Sequence, residues 1–173
     1  MYSVGEMVFY ENTGICQISD ITDKKTEETG ENQLYYVLKP LYVDYTISVP
    51  VGSGNVFMRP IISKNEAERL IDSIPAIKVK PKKYTAVGEL DKYYKSYFTS
   101  HKCEDLLELT VSINAKKVQS EKKKRWLGVI DEKYKRKAED MLFGELAAAL
   151  EIERSEVPDY IANRVDSEQS GAK

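Results

Sequence analysis

A chain cannot carry one kind of layer through a change of hydrophobic period, and this one changes period at Ser63. Ahead of it lie short runs rich in Val, Ile, Tyr and Phe: "VGEMVFY" (4–10), "ICQISDI" (15–21), "QLYYVLKPL" (33–41), "DYTISVP" (44–50) and "NVFMRPI" (55–61). β-branched and aromatic residues in short, punctuated runs suit strands. Asn12 and Gly14 tolerate the positive φ of a tight turn. Pro40 and Pro50 lack the N–H that would prolong a ladder. Five such runs predict a small, strongly bent antiparallel β-barrel over about residues 3–62. Between the second and third runs, "TDKKTEETGEN" (22–32) reads as a polar loop, and "VGSGN" (51–55) as a loop between strands.

Behind Ser63 the spacing is helical. Ser63 and Glu66 form a capping-box pattern, followed by Ala67, Leu70, Ile71 and Ile74 three and four apart. "PAIKVKPKKYT" (75–85), with two prolines and four lysines, predicts an extended connector. Leu90, Tyr93, Tyr94, Tyr97 and Phe98 then form a stripe within residues 86–100. A helix over 104–125 opens on acids, which the helix dipole favours. Another over 131–150 lines up Tyr134, Ala138, Met141, Leu142, Glu145 and Ala149. A last short helix is expected from Ser155 to about Arg164, with Pro158 in its first turn, and a disordered tail from about residue 166. The fold class is therefore α+β, with a β domain over 1–63, a compact all-α domain over 64–173 and a linker around 75–85.

Charge is segregated along this plan. Residues 1–63 hold 4 Lys/Arg against 8 Asp/Glu, residues 78–137 hold 17 against 8, and residues 138–173 hold 3 against 9. The balances are −4, +9 and −6, so the middle segment suits a polyanion, or else is a merely solvated surface. The apolar runs are too short for a membrane span, and the N-terminus has no secretion-signal pattern. Two distant cysteines, Cys16 and Cys103, argue against a disulfide framework or zinc site. A reducing cytoplasm is the expected compartment.

Catalytic constellations are scarce. His101 and Cys103 offer a thiol pair on paper, but two residues apart at a helix end they point to different faces. "VGSGN" lacks the strand–GxGxxG–helix setting of dinucleotide binding. Glu104 and Asp105 sit where a helix start wants them. Binding chemistry is better represented. Lys92 and Lys95 flank Tyr93 and Tyr94, and lysines interleaved with aromatics suit nucleic acid, although Tyr94 and Tyr97 read better as core. "EKKKRW" (121–126) is a basic loop ending in the only tryptophan, either packed beneath the loop or offered as a contact.

The order of motifs carries a more specific reading. "VGEMVFYENTGICQI", "YYVLKP", "YTISVPV" and "RKAEDMLFGELAAAL" follow one another, and in this the chain resembles the CarD family of bacterial transcription regulators. The matching residues are Val4, Gly5, Val8, Tyr10, Gly14, Tyr36, Leu38, Lys39, Val49, Pro50, Ala138, Leu142, Gly144, Glu145, Leu146 and Ala147, over roughly residues 3–152. The resemblance implies a Tudor-like first module that binds the β subunit of RNA polymerase, related to one in the transcription-repair coupling factor. It implies a helical module on promoter DNA at the upstream edge of the transcription bubble, adjusting open-complex stability. It further implies a non-catalytic, cofactor-free, monomeric protein in the cytoplasm, associated with the nucleoid and not with membranes.

Residue by residue, the family's wedge tryptophan falls on Leu90, which retains an apolar wedge with less area. Trp126 falls in a later loop. The polymerase-facing arginines fall on Lys24 and Ser48, which lose the forked donor geometry, so strand pairing along "YTISV" is a substitute contact. The DNA candidates are Leu90, Lys92, Tyr93, Lys95, Lys116, Lys117, Lys133 and Lys137. The polymerase candidates are Lys24, Thr46, Ile47, Ser48 and Val49. Two other classes stay open: a protein–protein adaptor with another partner, and an RNA- or ribosome-binding module. A thiol enzyme using Cys103 and His101 is more remote.

Overall fold

Five strands precede five helices: β1 Met7–Tyr10, β2 Gly14–Lys25, β3 Asn32–Pro40, β4 Ile47–Pro50 and β5 Met58–Pro60, then α1 Lys64–Asp72, α2 Val87–Thr99, α3 Cys103–Lys122, α4 Val129–Leu150 and α5 Val157–Gly171. The computed structural model describes residues 1–25, 30–54, 56–79 and 86–171. It divides into two compact units, Met1–Ile61 and Ile62–Lys173.

In the first unit all ladders are antiparallel, in the order β4-β3-β2-β1-β5. Among the described residues no ladder joins β4 to β5, so the expected barrel is an open sheet with two edges. One face nevertheless closes on itself. Val8, Cys16, Ile18, Tyr36, Leu38 and Val49 are buried together, with Val51, Val56 and Met58 packed against them. The same cluster pushes the Cys16 thiol up to about 11 by desolvation. The β1–β2 turn puts positive φ on Glu11 and Gly14, and Asn12 does not share it. β2 is longer than expected, because "TDKK" continues the strand and pairs as far as Lys25↔Asn32. Nothing apolar marks that extension; its order comes from backbone pairing and a cross-strand bond from Asn32 to Asp23 (3.2 Å). A bulge between Ile18 and Asp20 resets the register, placing Asp20, Thr22 and Lys24 on the outer face.

The helical unit begins as the capping box predicts. Ser63 Oγ accepts from the Glu66 N–H (3.2 Å), and Glu66 Oε2 accepts from the Ser63 N–H (2.7 Å). Ala67, Ile71, Leu106, Leu109, Ile113, Leu142, Leu146 and Val157 are wholly or almost wholly buried and form its interior. Every member of the α4 stripe is buried, Glu145 included. Its carboxylate accepts from the Ile62 N–H (3.0 Å), satisfying a backbone donor that an apolar residue would leave bare. α5 is longer than expected, running to Gly171. Arg164 holds it to α1 through two bonds to Asp72 (2.5 and 2.9 Å). Of the proposed linker, Ile74–Ala76 is a single 3-10 turn and residues 80–85 lie outside the described residues, as do residues 26–29 of the polar loop, Asn55 and the last two residues of the tail.

Candidate partner-binding surfaces

β4 is an edge strand, so one side of its backbone has no partner strand. Alternation turns Ile47 and Val49 inward and Ser48 outward. Val49 is buried, which corrects its reading as a side-chain contact: only its backbone lies at the edge. On the outer face, Lys24 Nζ donates to Ser48 Oγ (3.2 Å) and lies 5.7 Å from the centre of the Tyr35 ring. The structure thus brings two polymerase candidates together across β3, with Thr46 exposed just before β4. The segment joining β3 to β4 adds Tyr42 and Val43 to Leu41 and Tyr45, which the sequence placed at the ends of its third and fourth strand runs. Leu41, Tyr42, Val43 and Tyr45 are all exposed beside the edge.

The helical unit gathers lysines around one carboxylate. Asp91 on α2 accepts from Lys95 Nζ (2.7 Å) and from the Tyr134 hydroxyl (2.7 Å), with Lys133 Nζ at 3.7 Å. The Lys95 bond, then the Tyr134 bond, hold the Asp91 carboxyl down to about 2. Tyr134 is pushed up to about 12, by desolvation first and then by Asp91. Lys137 lies 4.5 Å from the centre of the Phe98 ring. Its pKa is lowered by burial and then by repulsion from Lys133 and Lys95, so the three ammonium groups share one neighbourhood. Two cations on one anion, with a third ammonium nearby, leave this cluster positive. Rings support it from below: Tyr94 and Phe98 pack on Tyr134 with centroids 5.2 and 5.9 Å apart.

Other candidates are placed differently. Lys116 donates to the buried Asp131 (2.7 Å), which also accepts from the Tyr94 hydroxyl (2.5 Å); its ammonium belongs to an interior network. Gly128 stands close to that network, and a Cβ there would meet Asp131 Oδ2 at a tight 3.0 Å. Lys117 sits 3.9 Å from Glu121. Tyr93 shares a hydroxyl contact with Tyr97 (2.7 Å) and meets its ring edge-on. Lys92 is exposed, and Leu90 is half-buried in the first turn of α2. Trp126 is 96% exposed and packs beneath nothing. Cys103 is a buried thiol at the start of α3, and His101 adopts a left-handed φ of 54°. Among the described residues no group of three or more His, Cys, Asp or Glu could hold a metal ion, and no helix is long and apolar enough to cross a membrane.

Residues 2–62 match the family described as the CarD-like/TRCF RID domain, so the first unit is a CarD-like domain. The match coincides with the sheet unit, whereas the resemblance read from the sequence reaches to about residue 152. No curated protein matches the chain.

Proposed function

We propose that this protein is a non-catalytic transcription regulator that docks on the β subunit of RNA polymerase through its sheet unit and holds promoter DNA at the upstream edge of the bubble through its helical unit. The convergence of Lys95, Lys133 and Lys137 on the aromatic floor of α2 and α4 carries the DNA half of this reading. Preplaced ammonium groups gain affinity by releasing counterions from phosphates. The free edge of β4, with Lys24, Ser48 and the exposed Leu41–Tyr45 segment beside it, supports strand addition by the polymerase. Tethering alone changes nothing at the promoter; the helical unit must bind opened DNA better than closed DNA. A coupling of about 1–3 kcal/mol shifts the open population about 5- to 150-fold.

The test is open-complex lifetime on a slow-opening promoter. The double variant Lys95→Glu, Lys133→Glu should shorten the lifetime to that of polymerase alone while still co-purifying with polymerase. A variant that loses polymerase instead would overturn the division of labour. Leu90→Ala with an unchanged lifetime would remove Leu90 from the wedge role.

A further inference from the structure

Trp126 is the only tryptophan of the chain, and it stands almost wholly in water. A tryptophan carries roughly 150–250 Å² of surface that burial would favour removing from solvent. The local backbone, however, is built to hold it out. α3 closes with Lys124 in the left-handed region (φ 53°), the Arg125 N–H on the Ser120 carbonyl (2.9 Å) and the Lys124 N–H on the Glu121 carbonyl (2.9 Å). This is a Schellman closure made without glycine. It fixes the exit of the chain, so Trp126 is projected from a stop with defined geometry. Four consecutive cations, Lys122 to Arg125, precede it, and all are exposed. Lys133 lies on the second turn of the helix that follows, so the loop continues the positive surface already described.

We propose that Trp126 and its basic loop form a stacking site for an unpaired base of single-stranded nucleic acid. Every base offers a π face, and lysines beside an indole meet the flanking phosphates without reading sequence. This extends the nucleic-acid reading of the helical unit and takes from it only the class of ligand. It also supplies what the lysines cannot: a contact that exists only when strands are separated. Duplex DNA buries its base faces, so an indole that needs one distinguishes melted from paired DNA. The alternative occupant is an anionic membrane surface, which tryptophan and lysine also suit.

The single indole reports its own occupancy. The full chain is titrated with an oligothymidylate about ten nucleotides long, with a duplex of the same length, and with phosphatidylserine vesicles, following tryptophan emission. Quenching by the single strand is expected. Trp126→Ala, followed by anisotropy of a labelled oligonucleotide, should weaken single-strand binding about 5- to 150-fold and Trp126→Phe should recover most of it. Duplex affinity should stay within about twofold in both variants. Equal losses on duplex and single strand, or an emission change with vesicles but not with oligonucleotide, would overturn the proposal. If wild type binds duplex and Trp126→Ala matches it on single strands, this site falls and the promoter reading stands. If the single strand quenches but no duplex binds, the promoter reading falls and this site stands.

Discussion

The outer face of the sheet and the α2–α4 face both present lysine, yet they hold it in opposite ways. Lys24 leans over a tyrosine ring toward a neutral hydroxyl, beside a backbone edge that has donors and acceptors of its own. Lys95 and Lys133 pair with one carboxylate, and Lys137 lies over a ring close to both of them. The first surface can recognise a partner through main-chain hydrogen bonds, which tolerate side-chain change. The second recognises charge, so its strength follows the count of cations and the salt around them. On the proposed reading, an edge strand would remain as a contact where Lys24 and Ser48 lack the forked donor geometry of arginine.

The largest effect should come from attacking the sheet beneath the edge. Val49→Asp places a carboxylate in the buried cluster and should cost on the order of 4–5 kcal/mol, with loss of polymerase binding, while Ser48→Ala one residue away should leave both nearly unchanged. Denaturant titration and polymerase pull-down read the pair; equal damage from both would mean that Ser48 contributes by its side chain. A smaller effect is expected on the other face. Replacing Lys95, Lys133 and Lys137 by Gln should lower the slope of log affinity for duplex against log salt by about 2.7 if each meets one phosphate. Polymerase binding should show no matching change. An unaltered slope would reduce the lysine cluster to a solvated surface.

The subtlest break is by acid. The Asp91 carboxyl is held below its usual value, at about 2, so its pairing contributes fully above the unfolded value near 3.8. That contribution should fade as pH falls from about 4 to about 2. Thermal melts of wild type and Asp91→Asn should therefore converge over that window, and curves that stay parallel would mean Asp91 does not anchor the cluster.

Much of this was legible because the signals were local. Ser63 and Glu66 complete each other within one turn, and Gly14 takes the conformation its turn needs. The α4 stripe is buried as its spacing implies, since that helix lies in the interior of its unit. What escaped depended on partners distant in sequence. The extension of β2 through "TDKK" has no apolar mark and exists because β3 runs alongside. Lys116 was indistinguishable from a surface lysine until α4 brought Asp131 to it. Glu145 stood in a family motif, but its task of satisfying the Ile62 N–H, 83 residues earlier, follows from tertiary structure alone. For Trp126 the sequence left packed and exposed equally open, and only the structure decides for exposure.

β4 is four residues long and ends in proline. So brief a rail offers few rungs, and the missing N–H of Pro50 stops the ladder at that end. A guest strand can therefore seat over only a few residues, and its grip must be completed by side chains at either end of the join. The same brevity denies copies of this chain a template along which to stack, so an open edge need not draw the protein into fibres.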